Sequence, residues 1–103
     1  MAESDIYLCR VCGFDNYPDA PWGADGHMPS NEICPCCGVE FGYDDDGGPD
    51  FLSRRRKHWV VANECRWAMP KLKPAQWSAK NQLLSVPVRF LHERDKQLIA
   101  GLP

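Results

Sequence analysis

The sequence predicts a small α+β fold in a single domain over residues 1–103, with short strands around two cysteine turns and then two or three helices. Three observations predict it. A chain of 103 residues has the size of one core. Five of its six cysteines fall in the first half, where four of them form two Cys-x-x-Cys pairs. Helical periodicity is confined to the second half and is interrupted by prolines. At 44% hydrophobic and 25% charged residues the composition is that of an ordinary globular protein. No segment approaches the roughly 20 apolar residues that span a bilayer, so no membrane association is expected.

The start, Met1-Ala2-Glu3-Ser4-Asp5, is acidic and has no apolar segment following a basic one, so it does not read as a secretory signal. Six cysteines in such a chain read as metal ligands in the reducing cytosol rather than as disulfides. The net charge of −2 conceals a division. Residues 1–50 hold one basic residue, Arg10, against eleven acidic ones, a formal −10. Residues 51–103 hold eleven basic residues against Glu64, Glu93 and Asp95, a formal +8. We therefore separate a metal-binding subregion, 5–46, from a basic, tryptophan-rich helical subregion, 47–103.

Ile6-Tyr7-Leu8 reads as a short strand, because its residues suit a pleated surface. Cys9-Arg10-Val11-Cys12-Gly13 follows at once. The segment from Asp15 to Asn31 contains Pro18, Pro21, Gly23, Gly26 and Pro29 and reads as a loop. Ile33 then leads into Cys34-Pro35-Cys36-Cys37-Gly38. In each pair, two intervening residues let one tight turn aim both thiolates at a single ion. The glycine that follows supplies the positive φ that closes such a turn. Four thiolates make a closed tetrahedral zinc site, and Cys9, Cys12, Cys34 and Cys37 are its expected ligands. Cys36 has the wrong spacing and reads as a spare thiol, and Cys65 as a small buried hydrophobe. His27 reads as a surface residue of the loop, and adjacent Cys36 and Cys37 suit disulfide geometry poorly.

Tyr7-x-Cys9-x-x-Cys12-Gly13-Phe14 together with Cys34-Pro35-x-Cys37-Gly38 resembles the metal-binding knuckles of rubredoxin and of rubredoxin-like zinc ribbons. Ile33-Cys34-Pro35-Cys36-Cys37-Gly38 through Phe41-Gly42-Tyr43-Asp44-Asp45 also resembles the small bacterial proteins of the cysteine-rich CPCC family. The ribbon resemblance implies short antiparallel strands. Resemblance to rubredoxins implies iron on the same four cysteines and electron transfer. The chain departs from rubredoxins in a shorter segment between the knuckles, in the extra Cys36 and in the basic part that follows.

Asp44-Asp45-Asp46-Gly47-Gly48-Pro49 reads as a solvated acidic join. A calcium loop beginning at Asp44 would need glutamate at its twelfth position, where Arg55 stands. Asp50 or Ser53 is expected to cap a helix running to about Asn63. Phe51, Leu52, Trp59 and Ala62 would lie near its buried face, with Arg54, Arg56 and Lys57 turned outward. Pro70 and Pro74 predict an extended stretch to Trp77. A second helix is expected from Ser85, with Pro87 in its first turn, to Gly101, with Val88, Leu91, Leu98 and Ile99 on its apolar face.

The functional expectation is non-catalytic. A closed four-cysteine site offers no open position to water or substrate. The sequence holds no glycine-rich phosphate loop, nucleophile elbow or His-Glu-x-x-His, and no small-molecule substrate is evident. The expected role is binding to another protein, as an adaptor or as the immunity partner of a toxin. Asp44, Asp45, Asp46, Arg54, Arg55, Arg56 and Trp59 are the candidate contact residues. Nucleic-acid binding through the basic cluster is the weaker expectation, because the acidic half would repel phosphate.

Overall fold

The computed structural model describes residues 3–103. Met1 and Ala2, part of the acidic start read as lacking a signal, lie outside the described residues. Among the described residues there is no β-strand, which corrects the expected ribbon of antiparallel strands. The expected first strand, Ile6-Tyr7-Leu8, is largely a 3-10 helix, Glu3–Tyr7. Each knuckle is flanked by one isolated antiparallel bridge, Leu8 with Asp15 and Ile33 with Glu40. The ladder stops there for a physical reason. Each knuckle bonds to itself, and the chain beyond it is a helical turn or a loop rich in proline and glycine, which offers no further pair.

The two knuckles are the same structure repeated 25 positions apart. In the first, the Cys9 N–H donates to the Phe14 carbonyl (2.9 Å), Gly13 to Cys9 (2.9 Å) and Asn16 to Tyr7 (2.8 Å). In the second, Cys34 donates to Val39 (2.8 Å), Gly38 to Cys34 (3.0 Å) and Phe41 to Glu32 (2.9 Å). Gly13 and Gly38 close the turns at φ of 83° and 82°, a region costly for any residue with a Cβ.

The second half holds three helices. Helix α1, Pro49–Lys57, begins after Gly48, with Pro49 in its first turn. Neither Asp50 nor Ser53 caps it, contrary to expectation. Asp50 instead pairs with Arg54 and Arg94, and Ser53 is buried inside the fold. The helix continues through a wider π-helical turn, His58–Ala62. Leu52 and Trp59 face the core as expected, whereas Ala62 is exposed. Arg56, expected to turn outward, is fully buried.

The second expected helix is broken into pieces. Helix α2, Ala79–Leu83, lies wholly before the expected start at Ser85, in a stretch where no helix is expected, and is capped by Ser78, whose hydroxyl accepts from the Asn81 N–H (3.2 Å). Pro87 keeps Val86 from helical backbone, and only a 3-10 turn, Val88–Phe90, follows it. Helix α3, Asp95–Ala100, forms after Leu91 has run extended. Of the expected apolar face, Ile99 is buried and Val88 is 83% exposed. Pro70 opens a 3-10 turn, Pro70–Leu72, within the stretch expected to be extended.

The core lies between the knuckles and these helices. Cys9, Val11, Cys12, Cys34 and Cys36 share it with Leu52, Trp59, Trp67, Leu83 and Ile99. Phe14 of the first knuckle begins an edge-to-face aromatic chain, meeting Trp67 at 5.3 Å, which meets Trp77 at 5.5 Å, which meets Trp59 at 6.2 Å. Together these elements form a globule 33 × 32 × 24 Å across.

Candidate metal centre

The repeated turns bring four sulfurs to one point. The Sγ atoms of Cys9, Cys12, Cys34 and Cys37 all lie within 4.8 Å of one another. Cys9 to Cys37 and Cys12 to Cys34 are each 3.7 Å, one pair from each side of the repeat. A tetrahedron of thiolates at the usual 2.3 Å from zinc has edges of about 3.8 Å. Those two edges match such a tetrahedron, and the donor set suits a tetrahedral thiophilic ion. Three of the four cysteines are fully buried and Cys37 is half-buried.

Four thiols so close cannot all carry charge without a cation. Burial pushes Cys12 and Cys37 well above the ordinary thiol value. Thiol donation from Cys12, Cys37 and Cys9 pulls Cys34 far below it. A divalent ion replaces those shared protons and makes all four groups thiolates.

Cys36 lies outside the four-sulfur cluster. It occupies the position that Val11 holds in the first knuckle, and both are fully buried. Its sulfur accepts from Gln82 Nε2 (3.2 Å), and the same amide nitrogen donates to the Cys12 carbonyl (3.2 Å). Cys65 is half-buried and packs against the core, and burial raises its thiol above the usual value. His27 is exposed in the loop.

The basic half braces both knuckles at equivalent places. In the first, Arg56 donates through Nε to the Val11 carbonyl (2.7 Å) and through Nη2 to the Arg10 carbonyl (2.9 Å). In the second, the equivalent carbonyls of Cys36 and Pro35 accept from the backbone N–H groups of Ala68 (2.9 Å) and Met69 (2.8 Å). Arg56 also donates to the Phe90 carbonyl (3.2 Å) and pairs with Asp95 at 2.6 Å. Asp95 in turn accepts from the Ser53 hydroxyl (2.8 Å) and the His92 N–H (2.8 Å). Burial lowers the Arg56 pKa and the Asp95 carboxylate opposes that shift. The sequence carries one signal for this contact, a basic run beside an acidic half. It could not mark Arg56 within the run.

The remaining expected contact residues are divided. Asp45 is fully buried, accepting from Trp22 Nε1 (2.9 Å) and the Gly42 N–H (2.7 Å), and burial raises its pKa. Asp44 accepts from the Glu40 N–H (2.9 Å) and pairs with Arg55 (3.2 Å). Asp46 and Arg54 are exposed. Trp59 is buried, its indole N–H donating to the Arg66 carbonyl (2.8 Å). Asp45, Arg56 and Trp59 thus hold the fold together and offer little surface to a partner. No helix among the described residues is long and apolar enough to cross a membrane.

No known family profile matches the chain, and no solved structure matches it. The chain is similar to two proteins of Bacillus subtilis (strain 168), both named only as uncharacterized. It is 32% identical to YozI over 69 residues, covering 53% of this chain and 57% of YozI. It is 40% identical to YoaQ over 40 residues, covering 39% of this chain and 34% of YoaQ. The matches thus span a little over half of the one relative and about a third of the other.

Proposed function

We propose that the protein is a non-catalytic binding protein whose four cysteines hold one structural zinc ion. The observation that carries this reading is the closed thiol set, four sulfurs within 4.8 Å of one another with three of the cysteines fully buried. Such a site has no position for substrate. Its contribution is folding free energy, on the order of 10 kcal/mol in zinc-finger peptides. A chain whose first half is turn and loop has few other sources of it. With catalysis set aside, binding another protein is the role this scaffold suits, as an adaptor or a toxin-neutralising partner. Nucleic acid fits less well, because Arg56 is buried and Arg55 is tied to Asp44, which leaves Arg54 and Lys57 exposed in the basic run.

Metal analysis of the purified protein with a visible spectrum tests the reading. We expect one zinc per chain, a colourless solution, and capture of a specific protein partner that is lost when the zinc is chelated. One iron per chain with reversible one-electron redox would replace the reading with an electron carrier.

A further inference from the structure

The proposed partner-binding role leaves open where a partner sits, and the second half offers one surface that suits the purpose. Between α2 and α3 runs a groove of about 540 Å³ with a largely apolar lining. Leu84 is 65% exposed and Val88 83% exposed, and Leu91 and Ile99 form the apolar floor beside them. Apolar side chains left this open on a small globule have no covering partner among the described residues. Lys80 and Lys96 flank the groove, with Glu93 as its one acidic neighbour free of a buried partner. Asp95 also borders it, but its carboxylate is occupied by Arg56, Ser53 and the His92 N–H.

Resting on the partner-binding reading above, we infer that this groove docks a short apolar segment of another protein flanked by acidic residues. Charge complementarity selects that occupant. The apolar floor takes the segment's hydrophobic side chains, and Lys80 and Lys96 favour acidic flanks and disfavour basic ones. Both walls of the groove are anchored to the metal knuckles. Helix α2 is held through Gln82 to Cys12 and Cys36, and α3 through Asp95 and Arg56 to the Val11 carbonyl. The docking surface is thereby rigid only while the knuckles are.

A random twelve-residue peptide library displayed on phage and panned on the zinc-loaded protein tests the assignment. Selected peptides are expected to combine apolar residues with Asp or Glu. Their affinity should fall by about tenfold or more in Leu84→Ser/Val88→Ser, because both substitutions remove apolar surface that the peptide buries. It should fall comparably in Lys80→Glu/Lys96→Glu. Melting temperature and zinc content should stay unchanged in both variants. Failure to select any peptide, selection of basic peptides, or double variants that bind the selected peptides as tightly as the parent protein overturns the inference. So does a dimer in sedimentation that the same variants abolish, since the face would then join two copies of this chain. Partner capture that survives the groove variants defeats the groove and spares the binding role. Zinc-free protein that still binds peptides through the groove defeats the structural-zinc reading alone.

Discussion

Cys36 stands in the second knuckle where Val11 stands in the first, and its thiol does the work of a small core side chain. Cys36→Ala should therefore keep one metal ion per chain and lose about 1–2 kcal/mol, from the cavity and the freed Gln82 donor. Cys34→Ser should lose the ion. Metal content by mass spectrometry, with a denaturant melt, separates the two. Arg56 and Asp95 form the fold's buried ion pair, and removing one partner strands the other. Asp95→Ala should cost about 3–5 kcal/mol in a denaturant melt. Arg56→Lys should not recover the parent's stability, because one ammonium cannot reach the three carbonyls and the carboxylate that the guanidinium spans. The four-cysteine cluster was legible because turns that can hold a metal write themselves as local spacing. The role of Arg56 was not, since its partners Arg10, Val11 and Asp95 lie 39 to 46 positions away. A run of four bases does not say which one turns inward.

At the scale of elements, the two knuckles are equal in backbone and unequal in surroundings. A Cβ on Gly13 would meet the Gln82 carbonyl oxygen at 2.4 Å, whereas one on Gly38 would touch the Ala68 methyl at 3.4 Å. Both glycines have positive φ, so alanine strains either turn by roughly 1–2 kcal/mol. Gly38→Ala should show about that loss in a thermal melt. Gly13→Ala should lose distinctly more and loosen α2, which helical circular dichroism would register. Sequence reasoning found the knuckles, the loop between them and the first helix, all of which follow from local chemistry. It misjudged the flanking strands because Ile6-Tyr7-Leu8 has strand-like residues but finds only the single bridge from Leu8 to pair with. Val88, Leu91, Leu98 and Ile99 mimic a periodic face, which suggests one helix from Ser85 to Gly101 where the chain has a 3-10 turn and α3, and α2, lying before Ser85, is missed. The backbone instead breaks between Pro87 and Leu91, and Asp95 is drawn inward by Arg56.

For the whole molecule, the boundary between charges of −10 and +8 is a seam that the fold closes. Arg56 from the basic half and the Ala68–Met69 backbone grip the acidic half at its two metal turns. Loss of the ion should therefore unfold both halves together. Acidification should act in the same direction. The loaded site binds no thiol protons while the unfolded chain binds four at neutral pH, so stability rises with pH and is lost as pH falls. A melt across a pH series should show the zinc-loaded protein destabilised progressively below neutrality, in step with zinc release. Native mass spectrometry of the purified chain, before and after chelation, tests the central claim most directly. The account predicts the chain plus one zinc ion in a narrow set of low charge states, turning into a broad, highly charged distribution once the ion is stripped. A metal-free chain that keeps the narrow, low charge states would contradict it.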